Sequence, residues 1–185
     1  MNQNESCCGG GCCEQEVKVA SRAPKFAGEA YSNGEIVKIS SEDYKGKWIV
    51  IFFYPLDFTF VCPTEITGYS SANEEFAKRN AQLIGCSVDS VHSHKAWSES
   101  SLGKVNFPLL SDITKKISSD FNVLLEKEGI ALRGTFIINP DGILQYAVIH
   151  DLNVGRSVEE TLRVLDALQS GGLCAVGWKK GDKNL

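Results

Sequence analysis

The chain has 185 residues, of which 43% are apolar and 23% charged, with a formal net charge of −4. That length suits one domain with a real core, and the balance gives no reason to expect nucleic-acid binding or a polybasic membrane anchor. No apolar run approaches the roughly 18–20 residues that span a bilayer, and Met1–Ser6 lacks the basic and hydrophobic regions of a secretory signal, so a cytosolic location is expected.

Residues 1–15 show no hydrophobic periodicity, and Gly9-Gly10-Gly11 between two cysteine pairs favours a flexible tail. Residues 16–171 read as the ordered domain, with Pro24-Lys25-Phe26 opening its compact part, and 172–185 as a C-terminal tail. Glu35–Ile39 alternates and predicts a strand. Trp48–Tyr54 is apolar on both faces, as a central strand covered by helices requires. Next comes a loop, then Cys62 and Pro63. Proline suits the first helical position, which puts Cys62 at or beside the N-cap of a helix predicted over about 63–79. Unsatisfied N–H groups and the positive dipole end there stabilise a thiolate, the nucleophilic form of cysteine.

Ala81–Val88 predicts a strand and about 92–100 a helix. A further helix is expected over 115–121, with Asp112 as its cap. Thr135–Ile138 and Ile143–Ile149 flank an Asn139-Pro140-Asp141-Gly142 turn and predict a hairpin. Ser157 and Glu160 have capping-box spacing for a helix ending near Ser170-Gly171. The alternation predicts an α/β fold with a central mixed sheet flanked by helices.

Seven cysteines stand at positions 7, 8, 12, 13, 62, 86 and 174. A disulfide scaffold would scatter an even number through a smaller chain; catalysis, metal binding and simple burial are the alternatives in a reducing compartment. Cys86, within an alternating strand, reads as core. Cys7, Cys8, Cys12 and Cys13 on glycine could hold Cu(I) or Zn(II), form local disulfides, or be incidental. His92, His94 and His150 lack further ligands at metal spacing and read as surface or structural residues.

Pro55, Thr59 and Cys62 reproduce the Pro-x-x-x-Thr-x-x-Cys signature of the peroxiredoxins, and Tyr54–Glu65 is close to word for word what typical two-cysteine members carry. The similarity continues through Ser87-Val88-Asp89-Ser90, His94, Ala96-Trp97, Phe107-Pro108-Leu109, Leu132-Arg133-Gly134, Val154-Gly155-Arg156-Ser157 and Gly177-Trp178, over roughly residues 17–182. The chain resembles an alkyl hydroperoxide reductase or thioredoxin peroxidase with a thioredoxin-like fold.

The resemblance implies a thiol peroxidase acting on hydrogen peroxide and organic hydroperoxides without a cofactor or metal. Cys62 would be the peroxidatic nucleophile, Thr59 and Arg133 would address thiolate and peroxide, and Pro55 would shape the loop and shield the sulfur. Glu65 and Arg156 match a supporting ion pair. Cys174 would resolve the sulfenic acid from the other subunit of a homodimer, within a decamer, and thioredoxin or a flavoprotein disulfide reductase would reduce the disulfide. Ala175 stands where members commonly carry proline. A metal-binding or chaperone role of the cysteine-rich tail and oligomer is the competing reading; a thioredoxin-type reductase fits poorly, because the loop has no Cys-x-x-Cys pair.

Members prone to over-oxidation carry a Gly-Gly-Leu-Gly insertion and a C-terminal Tyr-Phe helix. Here Ser101-Leu102-Gly103-Lys104 occupies the corresponding place and the sequence closes on Asn184-Leu185. The expectation is efficient disulfide capture: mass spectrometry during turnover at modest peroxide should find Cys62 without sulfinic acid.

Overall fold

The computed structural model describes residues 17–185, so the expectations for the tail and its four cysteines lie outside the described residues. A hairpin opens the domain: β1 (Ala27–Ser32) and β2 (Glu35–Ser40) are joined by Asn33-Gly34, with φ of +51° and +90°. Two successive positive φ values suit the twist of a two-residue hairpin, and asparagine followed by glycine tolerates them best. β3 (Trp48–Phe53) leads through the loop to α1 (Cys62–Ser71) and α2 (Asn73–Lys78), then β4 (Ala81–Ser87) and α3 (Val91–Trp97). After a wide π-type turn at Ser98–Leu102 come β5 (Leu109–Ser111), α4 (Lys116–Asp120) and the small pair β6 (Leu124–Leu125) and β7 (Ile130–Ala131). β8 (Arg133–Ile138), β9 (Leu144–His150) and α5 (Val158–Ser170) finish the domain.

Seven strands form one sheet in the order β2-β1-β5-β4-β3-β8-β9. β3 runs parallel to β4 and antiparallel to β8, so the sheet is mixed as expected. Alternation along β3 divides the core. Ile49, Ile51 and Phe53 face one cluster with Ile84, Cys86, Phe121 and Phe136; Val50, Phe52 and Tyr54 face another with Ile66, Tyr69, Trp97 and Leu165. Each fully buried side chain of this size contributes roughly 1.5–3 kcal/mol.

The structure departs from the expected elements in places. The helix foreseen over 63–79 is two helices, interrupted at Ala72, whose ψ of +2° leaves the helical range. β1 and β5 had no predicted counterpart. Asp112 does cap α4, accepting from the backbone N–H of Ile117 (3.0 Å) and Ser118 (2.7 Å). At α5 only half of the capping box forms: Ser157 Oγ accepts from Glu160 N at 3.0 Å, while the Glu160 carboxylate turns to Arg163. Gly171 ends that helix at φ +69°, a left-handed cap where glycine avoids a Cβ clash. Beyond it the chain folds back on α5, with Trp178 buried and its carbonyl accepting from Arg163 Nη1 at 3.0 Å.

Cys86 is completely buried, and burial, assisted by the negative charge of Asp112, pushes its thiol well above the ordinary value. An unfolded thiol ionises near pH ~8.5 while the folded one keeps its proton, so stability holds below that pH and falls above it. Urea unfolding between pH 7 and 10 should show this fall. Cys86→Ala, which cannot ionise, should be less stable at pH 7 yet show a shallower fall.

Candidate functional site

The loop from Tyr54 to Val61 leaves the carboxyl end of β3 and delivers Cys62 as the first residue of α1, with Pro63 second. Cys62 thus lies beside the N-cap, as expected, while Pro63 takes the second helical position rather than the first. Val61 occupies the N-cap and offers no side-chain cap. Cys62 is fully buried and, with Cys86 and Cys174, is a free thiol.

Arg133, at the start of β8, places Nη1 at 3.4 Å from Cys62 Sγ and donates from the same nitrogen to Glu65 Oε2 at 2.7 Å. Its Nε donates to the Leu152 carbonyl at 2.8 Å, which fixes the plane of the guanidinium. Glu65, one turn along α1, also accepts from Arg156 through Nε (2.8 Å), Nη2 (2.6 Å) and the backbone N–H (2.9 Å). Arg156 Nη1 donates to the carbonyls of Phe53 (2.6 Å) and Gly134 (2.9 Å), and its guanidinium lies 5.1 Å from the Phe52 ring centroid. All three charged side chains are at most 4% exposed. Two cations and one anion leave a buried excess of one positive charge beside the sulfur.

Thr59 sits in the loop with its hydroxyl donating to the Leu56 carbonyl at 3.0 Å. With the proton so engaged, the oxygen's lone pairs are what remain to meet a ligand. Pro55 is buried at the head of the loop. Phe58, at φ +55°, is strained for an aromatic residue, and Phe60 is fully exposed. The structure therefore brings Cys62, Glu65, Arg133 and Arg156 into one cluster. Cys174 lies apart from it, half-buried near the end of α5, with Sγ 3.3 Å from Ser170 Oγ.

A second buried group supports the loop from behind, and sequence reading missed it. Asp57 accepts from Tyr54 OH (2.9 Å) and Ser93 Oγ (2.7 Å), and lies 2.8 Å from His94 Nδ1. Its backbone N–H donates to Asp89 at 2.9 Å. His94 is thus buried, and of the surface and structural roles weighed for it only the structural one stands. Burial and the Asp57 charge push the Tyr54 phenol well above its ordinary range; burial, then Asp57, raises Asp89. Among the described residues no three His, Cys, Asp or Glu side chains are grouped to hold a metal.

The chain is similar to known proteins in sequence and in fold. The AhpC/TSA family profile matches residues 19–147. The peroxiredoxin of the rubredoxin operon of Clostridium pasteurianum is 53% identical over 177 residues, covering 92% of this chain and 99% of the relative. The mitochondrial thioredoxin-dependent peroxide reductase of Drosophila melanogaster is 50% identical over 171 residues, covering 88% and 73%. The crystal structure of reduced Plasmodium vivax 2-Cys peroxiredoxin superimposes with a TM-score of 0.88 at 40% identity, covering 91% of this chain and 93% of that one.

Removing the Glu65 charge would leave two guanidinium groups buried without a counter-ion. Glu65→Gln, similar in shape, should lower the unfolding free energy by about 3–5 kcal/mol. Urea unfolding at neutral pH measures it. Glu42→Gln, at an exposed ion pair, should change little by the same assay.

Proposed function

Because the chain belongs to the AhpC/TSA family, as a two-cysteine peroxiredoxin, we propose that Cys62 is the thiol that meets the peroxide, with Arg133, Thr59 and Pro55 shaping the reaction around it. The protein is a peroxide-reducing oxidoreductase of antioxidant type. One observation carries the residue assignment: a fully buried thiol at a helix start, 3.4 Å from a guanidinium belonging to a cluster of net charge +1. That charge and the helix start both favour a negative sulfur.

The thiolate attacks one oxygen of the peroxide. An S–O bond forms as the O–O bond breaks, and the second oxygen leaves as water or alcohol with the peroxide's proton. The sulfur, oxidised by two electrons, becomes a sulfenate that takes a proton from water to give the sulfenic acid. Arg133 faces the charge that develops on the separating oxygens. The Thr59 oxygen, its own proton given to Leu56, accepts from the peroxide O–H. Pro55 closes the loop over the sulfur and excludes water. Glu65 and Arg156 hold Arg133 in place.

Cys174 then attacks the sulfenic sulfur, an S–S bond forms, and the oxygen leaves as water. A disulfide needs Cα atoms within about 7 Å, and Cys62 is buried in the first turn of α1, so that turn must unwind. We assign Cys174 to the partner of a homodimer, with decamers as the assembled state. A thioredoxin-type dithiol, or a flavoprotein disulfide reductase, returns the two electrons. Residues 16–171 form the catalytic domain between two cysteine-bearing tails. No helix among the described residues is long and apolar enough to cross a membrane, which suits a cytoplasmic place of work.

Peroxide-dependent oxidation of reduced thioredoxin tests the assignment. Cys62→Ser should abolish it, and activity surviving that change would defeat the proposal. Arg133→Lys should lower kcat/KM by about 10²–10³-fold. On non-reducing gels, Cys174→Ser should no longer give the peroxide-induced disulfide dimer.

A further inference from the structure

At the opposite end of β3 from Cys62 lies a hollow of about 300 Å³. It lies between the amino end of β3, the 3₁₀ turn Ser41–Tyr44 and the Asn139–Gly142 turn of the β8–β9 hairpin. Ile49 and Ile138, both buried, form an apolar floor, and Pro140 and Tyr44 form walls. Its volume falls at the lower end of the roughly 300–1,000 Å³ of ligand pockets, which combine such apolar walls with a few polar groups.

The rim is basic. Arg22, Lys25, Lys45 and Lys47 surround the opening, against only two carboxylates, Glu42 and Asp141, which leaves a net charge of +2 in a chain whose total is −4. Glu42 is spoken for: Lys45 and Lys25 both bind it and hold its carboxyl down at about 2. Among the described residues, no carboxylate lies within ion-pair distance of Lys47 or Arg22. Arg22 makes one long hydrogen bond, 3.4 Å, to the Asp141 carbonyl, so most of its donors face outward. The Ser41 hydroxyl and Tyr44 phenol, which also line the hollow, make no hydrogen bond to another described residue.

From this combination we propose that the hollow binds a small anion carrying a flat ring, of the nucleoside monophosphate class. The ring lies on the apolar floor between Tyr44 and Pro140, and Lys47 and Arg22 meet the phosphate. Ser41 and Tyr44 supply hydrogen bonds to the ring's polar edge. Ile49 is four residues from the end of β3 that carries the loop to Cys62, or about 13 Å along a strand, so the site is separate from the peroxide chemistry. The hollow shares no lining residue with the group around Cys62.

Equilibrium dialysis of the full-length reduced protein tests this with three probes: AMP, adenosine and inorganic phosphate. AMP should bind saturably, one per chain, with Kd below about 1 mM, and adenosine and phosphate at least about tenfold more weakly. Lys47→Glu should weaken AMP binding by about tenfold or more, and Arg22→Glu combined with it should abolish binding, with peroxidase activity and melting temperature unchanged. Tyr44→Ala should weaken AMP binding and leave phosphate binding as it was. Absence of saturable AMP binding, AMP binding insensitive to charge reversal, or phosphate binding as tightly as AMP would each overturn the proposal.

Discussion

One carboxylate holds this site together. Glu65 lies between Arg133 and Arg156, and each of its oxygens is claimed by at least one guanidinium. Bringing three charges out of water costs several kcal/mol apiece, and such a cluster persists only when its donors and acceptors are met. Here they are, by the carbonyls of Phe53, Gly134 and Leu152. The same contacts tie α1 to β3, β8 and the approach to α5. Two cations against one anion also leave a surplus of positive charge, and Arg133 carries it to within 3.4 Å of Cys62 Sγ. The packing of α1 and the charge beside Cys62 therefore rest on the same group.

The sheet makes this possible by separating two kinds of cysteine. Strict alternation in β3 sends its side chains to two cores, and β4 places Cys86 in the one built around Ile51, Phe53 and Phe136. The loop that follows β3 carries Cys62 to the other face, where it meets the end of β8. Two buried thiols within one small domain thus have different neighbours: a guanidinium beside Cys62, and apolar side chains with the Asp112 charge near Cys86. Strand alternation and the proline after Cys62 separate the two in the sequence, and the two faces of the sheet separate them in the fold.

Most of the fold was legible because it is written in periodicity. The central strands, the β8–β9 hairpin and α5 announce themselves through apolar runs, turn residues and caps. β1 was missed although Asn33-Gly34 marks its hairpin, since Tyr31 is the single β-branched or aromatic residue in Ala27–Ser32. β5 is three residues long, too short for any period to register. The break at Ala72 leaves no trace, alanine being the best helix former. At the site, Cys62 could be reached from proline and helix rules, but Glu65, Arg133 and Arg156 entered only through family resemblance. Asp57 and His94 stand 37 positions apart, joined by a buried contact that no local pattern encodes.

The two buried carboxylates on either side of Cys62 act as fixed pegs for the segment between them. Asp57 is fastened to Tyr54, Ser93 and Asp89, and Glu65 to the two arginines. Cys62 stands three residues before Glu65, a stretch that spans about 4.5 Å as helix and about 11 Å fully extended. While Glu65 keeps its grip, the sulfur is on a tether that lengthens by only about 6 Å when the turn uncoils. In the proposed disulfide step, any distance beyond that reach falls to the incoming segment that carries the partner cysteine. In the proposed cycle, a short leash also returns the cysteine to its berth quickly once the disulfide is cut, because few residues must be rewound.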